Sequence, residues 1–110
     1  MASINFEQFS AIELRVGRIA AVEHIEKSDK LYKLTVDFGE CGQRTICAGI
    51  KQFYMPEALL GIQAVFAYNL EPRVLRGVES AGMILMARTS ENKPVLIQPN
   101  EPVAAGARLA

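Results

Sequence analysis

Residues 32–38 constrain the fold most, because apolar and polar side chains alternate there without interruption. The apolar positions are Tyr32, Leu34, Val36 and Phe38, and the polar positions between them are Lys33, Thr35 and Asp37. Successive side chains of a strand point to opposite faces, so this pattern predicts a strand with one buried and one wet face. Such a strand belongs in an antiparallel sheet that covers a core on one side.

Other segments predict further strands around this one. Glu13–Ile25 is predicted as one long strand, in which Gly17 indicates a bulge or a sharp bend. The later strands are predicted at Arg44–Ile50, Gln63–Leu70 and Ser80–Arg88, with a short added strand at Val95–Ile97. The fourth and fifth strands are apolar at nearly every position, so both of their faces need cover.

Two short helical segments complete the predicted secondary structure. Met55–Gly61 is predicted as a helix, because Pro56 stands near its start and Gly61 follows its end. Asn5–Phe9 is predicted as a helical turn at best. Phe6 and Phe9 share one side of that turn, and we expect them to plug one end of the core.

The order of these elements is three strands, a short helix and two strands. It predicts an all-β fold with short helices, a five-stranded OB-fold Greek-key barrel with an added C-terminal strand and tail. A small sandwich is the alternative, but it explains the position of the helix less well. Residues 1–110 are expected to form a single domain.

The charge balance does not by itself indicate a nucleic-acid binder. The chain has 12 Lys plus Arg and 12 Asp plus Glu, whereas such binders usually carry excess positive charge. A local basic face remains compatible with zero net charge. Between residues 73 and 93 there is a weak excess, with the cations Arg73, Arg76, Arg88 and Lys93 against Glu79 and Glu91.

Residues 68–83 differ from the apolar runs on either side. They contain Pro72, two glycines, and two arginines three residues apart, Arg73 and Arg76. One interpretation is a long polar hairpin loop, since exposed connections are usually polar. The other is a loop that presents two guanidinium groups to an anionic partner. In an OB barrel this loop would join the last two strands, at a rim that holds nucleic acid.

Catalytic and metal-binding patterns are missing from the sequence. Cys41 and Cys47 are six residues apart and are predicted to be reduced structural thiols. His24 has no partner identifiable by spacing, and no phosphate-binding or metalloprotease motif occurs. We therefore expect no enzyme activity, no metal and no cofactor. No apolar run approaches the ~18 residues of a membrane span, so a cytoplasmic location is predicted.

Several motifs resemble the tRNA-binding OB domain found at the C-terminus of many methionyl-tRNA synthetases. That domain also occurs in the endothelial monocyte-activating polypeptide family and in free-standing tRNA-binding proteins. The resemblance covers roughly residues 4–109. It rests on E-L-R-V-G-R-I at 13–19, D-K-L-Y-K-L-T-V-D-F-G at 29–39, R-T-I-C-A-G-I at 44–50, P-E-A-L-L-G at 56–61 and N-L-E-P-R-V-L-R-G-V-E-S-A-G-M at 69–83.

The resemblance implies a non-catalytic homodimer that recognises the overall shape of tRNA. It also implies that the protein would assist methionyl-tRNA synthetase in trans, if it assists that enzyme at all. Carried over by position, its RNA contacts fall on Lys30, Asn69, Arg73, Arg76, Ser80 and Met83. There are departures from the family's pattern. Ile25 replaces a usual proline, and Glu71 and Val74 stand where the family often has lysine, which should weaken phosphate binding.

A second resemblance is to CsaA, a secretion-related chaperone that shares the fold. It rests on the ending Q-P-x-x-P-V-x-x-G, present here at 98–106. CsaA-type proteins depart from the D-K-L and E-S-x-G-M motifs that this chain keeps. Binding of unfolded polypeptides is therefore the alternative function, and an unrecognised enzyme is a third.

Overall fold

The computed structural model describes residues 2–110, which contain nine strands, two short α-helices and one turn of 3₁₀ helix at Gly39–Cys41. The helices are α1 (Phe6–Ser10) and α2 (Pro56–Leu59). The strands are β1 (Leu14–His24), β2 (Tyr32–Asp37), β3 (Gln43–Ala48), β4 (Gln63–Ala67), β5 (Arg73–Leu75), β6 (Val78–Ser80), β7 (Met83–Ile84), β8 (Met86–Arg88) and β9 (Pro94–Leu96). No helix within residues 2–110 is long and apolar enough to cross a membrane.

Five of the strands form one curled antiparallel sheet in the order β3-β2-β1-β4-β7. Its two edges approach one another where the Ala81 amide donates a hydrogen bond to the Thr45 carbonyl at 2.8 Å. Helix α2 lies between the third and fourth strands of this sheet in the chain. This is the OB-like arrangement that the sequence predicts, and the prediction is confirmed.

Strand β1 bends because its two halves have different partners. Residues 14–18 pair with β4, and residues 18–24 pair with β2. The register shifts between Ile19 and Ala21, so the bulge that the sequence indicates is present three residues beyond Gly17. Gly17 itself allows a close approach, since a Cβ there would lie 2.4 Å from Val36 Cγ1.

The core lies on the inner side of the curled sheet. Tyr32, Leu34, Val36 and Phe38 are all buried, which confirms the alternation in β2. The Phe38 ring packs edge-on against Phe66 of β4, with centroids 5.5 Å apart. Full burial of one such side chain contributes about 1.5–3 kcal/mol, so the four apolar residues of this stretch account for a large share of the stability.

Strand β4 is buried at all five positions within a single chain. Its free edge is closed by two backbone hydrogen bonds, from the Val65 amide to the Ile97 carbonyl and from the Leu85 amide to the Val65 carbonyl. The cover that its apolar sequence requires therefore comes from the same chain, and β4 offers no surface to a second copy.

The predicted fifth strand, Ser80–Arg88, is wrong as one continuous element. Only β7 joins the large sheet, where Phe66 pairs with Ile84. Strand β8 leaves that sheet and pairs with β9, with Met86 opposite Leu96. This pairing confirms the short added strand that the sequence predicts. It also divides the apolar run of residues 83–88 between two sheets.

Helix α1 forms, but its aromatic residues do not plug the core. Asn5 and Gln8 make a reciprocal capping box that fixes the start of the helix. Phe6 is 80% exposed, and α1 contains no buried residue. The expectation for Phe6 and Phe9 is therefore wrong, because the helix lies on the surface beside the chain end.

The C-terminal tail is hydrogen-bonded along the first half of β1. The Val16 amide donates to the Ala107 carbonyl at 2.8 Å, and the Gly106 amide donates to the Val16 carbonyl at 2.7 Å. The side-chain amide of Gln63 adds a pair of bonds to the backbone of Val103, at 2.6 and 3.1 Å. The tail is thus an integral part of the fold.

A pair of glycine substitutions tests this packing of the tail. Gly106 (φ 91°) and Gly42 (φ 87°, ψ −173°) both have a positive φ that alanine rarely adopts, so alanine costs about 1–3 kcal/mol of backbone strain at either position. At Gly106 the added Cβ would also lie 2.2 Å from the Phe38 carbonyl oxygen, whereas at Gly42 it meets nothing within 4 Å. In urea unfolding, we expect Gly106→Ala to lose about 1–3 kcal/mol more than Gly42→Ala. Equal losses would mean that the tail does not pack tightly.

Candidate nucleic-acid interface

Residues 68–83 form an ordered hairpin rather than an irregular loop. Strands β5 and β6 pair with Arg73 opposite Ser80 and Leu75 opposite Val78. Arg76 (φ 52°) and Gly77 (φ 80°) make the turn between them. Positive φ at both central residues is typical of the two-residue type I′ turn, which matches the twist of paired strands. The hairpin places Arg73 at its base and Arg76 at its tip.

This hairpin packs along the free edge of β3, the edge that does not pair with β2. The Ser80 hydroxyl accepts a hydrogen bond from the Cys47 amide at 2.9 Å. Cys47 lies directly opposite Lys33 of β2, whereas the inner side of the sheet carries the neighbouring pair Leu34 and Ile46. Two pockets border the hairpin, one at Cys47 of β3 and one at the turn before β2, and together we call them the groove. OB folds bind oligonucleotides on this side of the second and third strands.

The first pocket of the groove lies at the hairpin base, and we call it the base pocket. It has a volume of about 450 Å³. Its lining residues are Cys47, Leu70, Glu71, Arg73, Ser80, Gly82 and Met83. Three predicted contact residues, Arg73, Ser80 and Met83, thus meet in one place. Met83 is 47% exposed, so it is not a core residue.

The second pocket lies under the hairpin tip, and we call it the tip pocket. It has a volume of about 410 Å³. Its lining residues are Lys27, Ser28, Asp29, Lys30, Leu31, Gly49 and Arg76. Lys30 and Arg76, which are 46 residues apart in the sequence, therefore line the same pocket. Lys30 belongs to the turn before β2, so the turn and the hairpin tip form opposite walls.

The cations of both pockets are available to a ligand. Within residues 2–110, the only ion pair closer than 4 Å joins Arg15 and Glu13. Lys30, Arg73 and Arg76 are exposed and make no ion pair in this part of the chain. Asp29 and Glu71 also line the pockets and reduce the local positive potential.

Asn69 is the predicted contact that the structure does not bring into the groove. Its Oδ1 accepts a hydrogen bond from the Glu13 amide at 2.8 Å, and its Nδ2 donates to the Ala11 carbonyl at 2.7 Å. Asn69 lines neither pocket. Its amide therefore joins the end of β4 to the segment before β1. Its contact with RNA stays a prediction.

Ser80 lines the base pocket, but its hydroxyl already has protein partners. It is only 3% exposed, and besides accepting from Cys47 it lies 3.4 Å from the Gly82 carbonyl. A buried amide left without a partner costs about 1–3 kcal/mol. The Ser80 hydroxyl therefore stabilises the fold by accepting from the Cys47 amide, independently of any contact with RNA.

Lys33 lies directly opposite Cys47, which lines the base pocket, although no motif points to it. Burial raises the pKa of the Cys47 thiol, while the Ser80 hydroxyl and the positive charges of Lys33 and Arg73 lower it. Both cations therefore lie close enough to act on the same buried thiol. The signal was present in the alternating pattern of β2, since Lys33 is on its wet face and the β2–β3 side of OB folds binds ligands.

Arg44, the first residue of the predicted third strand, is held firmly inside β3. It pairs with Val36 inside β3, and its guanidinium carbon lies 3.8 Å from the centroid of the Tyr68 ring. Its Nη1 donates to the Tyr68 carbonyl at 2.8 Å, and the Tyr68 hydroxyl donates to the Cys41 carbonyl at 2.9 Å. This stack fixes the chain just before it enters the hairpin.

The pockets contain no aromatic lining residue. They offer cations, a flexible thioether and aliphatic surface, but no ring on which a base could stack. The arrangement suits phosphate groups and the outside of a folded nucleic acid more than unstacked bases. His24 is exposed and packs edge-on against Tyr32, and no group of three His, Cys, Asp or Glu within residues 2–110 could hold a metal.

The chain is similar to a tRNA-binding domain family and to part of methionine–tRNA ligases. A family model described as a tRNA binding domain matches residues 14–108. A methionine–tRNA ligase of Pyrococcus furiosus is 46% identical over 110 residues, and one of Porphyromonas gingivalis is 43% identical over 106 residues. These alignments cover 99% and 96% of this chain, respectively, but the chain spans about 15% of the length of either ligase.

Two solved structures superpose on nearly the whole chain. A MetRS-related protein from Pyrococcus horikoshii has a TM-score of 0.93 at 39% identity, and the match covers 100% of both chains. The chaperone CsaA from Bacillus anthracis has a TM-score of 0.89 at 32% identity, and the match covers 99% of this chain and 100% of that one.

Proposed function

Since this chain belongs to the tRNA-binding domain family, we propose that it binds tRNA non-catalytically through the groove beside the β5–β6 hairpin. The observation that carries the proposal is the pairing of Lys30 with Arg76 in the tip pocket and the position of Arg73 in the base pocket. These cations have no ion-pair partner among residues 2–110. With tRNA as the partner, the cytoplasm stays the predicted location.

The chemistry of the groove favours recognition of RNA shape. Arginine can hold a phosphate through two parallel hydrogen bonds, whereas lysine acts as a compact point charge. Met83 is flexible and polarizable, so it can adapt to a ribose or a base edge. Because no aromatic residue lines either pocket, recognition rests on the backbone of a structured RNA rather than on unstacked bases.

The names of the relatives suggest where such binding would be used. Methionine–tRNA ligases contain the matching region as about 15% of their length. A domain of this kind would hold tRNA while a separate active site performs the chemistry. The present chain would do so in trans, beside a methionine–tRNA ligase.

Polypeptide binding is the second candidate, and a specific observation favours it. The chain superposes on the chaperone CsaA, and the base pocket has two partly exposed apolar walls, Leu70 and Met83. An unfolded peptide could use those walls. It would gain little from Lys30 and Arg76, which are the features that the tRNA proposal uses.

A homodimer forms part of the proposal, through an apolar surface at the chain ends that we call the end patch. It is a hollow of about 540 Å³. Its lining residues are Phe6, Phe9, Ser10, Ile12, Arg108, Leu109 and Ala110. An exposed aromatic helix beside an apolar chain end is typical of a protein interface. Two copies would present two grooves to one tRNA and gain affinity by multivalency.

Replacing the two hairpin arginines together tests the proposed site. Arg73→Ala combined with Arg76→Asn takes away two phosphate contacts, and asparagine tolerates the left-handed backbone of residue 76. We expect the fold to survive and the affinity for tRNA, measured by filter binding, to fall roughly 10- to 100-fold. Arg88→Ala is the matched control, because Arg88 is exposed and lies in β8, outside both pockets.

Salt dependence distinguishes the two candidate functions in the same assay. Wild-type affinity should fall with salt as expected for roughly 4–8 neutralised phosphates per dimer, and the double variant should lose about four of them, two from each copy. Normal tRNA binding by the double variant would refute the site. Absence of tRNA binding together with salt-insensitive binding of an unfolded polypeptide would support the chaperone candidate instead.

Two phenylalanine substitutions test the role of the end patch in the proposed dimer. Phe6→Ser removes the most exposed aromatic residue of the end patch, while Phe53→Ser removes an aromatic residue that is 46% exposed elsewhere. By sedimentation velocity at micromolar concentration, we expect the wild type and Phe53→Ser to be dimers and Phe6→Ser to be largely monomeric. A monomeric wild type, or a Phe6→Ser dimer of unchanged stability, would contradict the proposed interface.

A further inference from the structure

The tip pocket contains a cation that neither the motifs nor the family comparison assigns, Lys27. It lines the pocket together with Lys30 and Arg76. Within residues 2–110, three residues other than glycine have a left-handed backbone, Lys27 (φ 64°), Arg76 (φ 52°) and Asn92 (φ 63°). Asparagine adopts this conformation readily, whereas lysine and arginine do not. The two unfavourable cases thus lie in one pocket.

Strained backbone of this kind persists where the surrounding structure holds it, and it is concentrated at binding sites. Here the strain directs two long cationic side chains from opposite elements to the same pocket. Lys27 belongs to the turn between β1 and β2, and Arg76 forms the tip of the β5–β6 hairpin. A turn that served only to connect strands would be more stable with asparagine or glycine at position 27.

The turn that carries Lys27 is firmly anchored. The buried Ser28 accepts a hydrogen bond at its Oγ from the Leu31 amide at 3.1 Å, and its own amide donates to the Ile25 carbonyl at 3.1 Å. Lys51 joins the turn twice, through Nζ to the Ser28 carbonyl at 3.0 Å and through its amide to the Lys30 carbonyl at 3.1 Å. The position of Lys27 is therefore set before any ligand arrives.

The charges of the pocket define what it can hold. Three cations, Lys27, Lys30 and Arg76, oppose one carboxylate, Asp29. None of the three cations is in an ion pair within residues 2–110. A tetrahedral anion can accept hydrogen bonds from all three walls at once, whereas a nucleobase would find no ring and only one large apolar side chain, Leu31.

We propose that the tip pocket binds one internal phosphodiester group of the tRNA backbone, with Lys27 as its third cationic ligand beside Lys30 and Arg76. This inference rests on the proposed tRNA-binding function. It adds Lys27, which lies outside the shared motifs, as a binding residue. It also explains the strained turn, because the turn places Lys27 in the pocket. One contact of this kind would fix the register of the hairpin tip on the RNA.

The test compares three variants in tRNA filter binding at several salt concentrations. Lys27→Asn removes the charge and suits the left-handed backbone, so its melting temperature should equal or exceed that of the wild type. Its affinity should fall about three- to tenfold, and the salt slope should decrease by about one phosphate contact per copy. Lys27→Arg keeps the charge and should retain most of the affinity. Lys93→Asn removes a charge from the β8–β9 turn and should bind like the wild type.

Each outcome decides between distinct accounts. If the wild type does not bind tRNA, the proposed function itself fails. If the wild type binds and Lys27→Asn binds equally well, or if Lys93→Asn loses as much affinity, only the tip-pocket inference is overturned. The assay is repeated with tRNA whose 5′ phosphate has been removed. The loss caused by Lys27→Asn should persist there, and its disappearance would assign the pocket to a terminal phosphate and refute an internal contact.

Discussion

The hydrogen bonds that join Ser80 and Ala81 to strand β3 hold the functional surface in place. The Cys47 amide donates to the Ser80 hydroxyl, and the Ala81 amide donates to the Thr45 carbonyl. Together they join the two edges of the curled sheet and hold the β5–β6 hairpin against the edge of β3. A two-stranded hairpin alone is marginally stable in water, so the position of its arginines depends on this attachment.

A zero net charge is compatible with anion binding because the charges are separated in space. The only ion pair within residues 2–110 involves Arg15 and Glu13, away from both pockets. The groove cations are therefore available to a ligand, while the carboxylates of Glu71 and Asp29 reduce the positive potential around them. A surface of this kind should bind an anion with modest strength per copy, which makes a second copy and a structured RNA valuable.

The sequence predicted what local patterns control. Alternation fixed the buried side of β2, and the proline and glycine around residues 56–61 located α2. It could not show the hairpin against β3, because the pairing of Ala81 with Thr45 joins residues far apart in the chain. For the same reason it missed the engagement of Asn69 with Glu13, the stacking of Arg44 on Tyr68 and the position of Lys33 opposite Cys47. Phe6 was misplaced because an apolar residue at a chain end can serve an interface as well as a core.

The most direct test of the account is an NMR titration of isotope-labelled protein with tRNA, in which the backbone amide shifts are followed residue by residue. The account predicts that the largest changes fall on the two sides of the groove, around Lys30 and Lys33 and around Arg73 and Arg76. Changes centred on α2 or on the end patch, with the hairpin unaffected, would contradict the central claim that the hairpin and strands β2 and β3 hold the RNA.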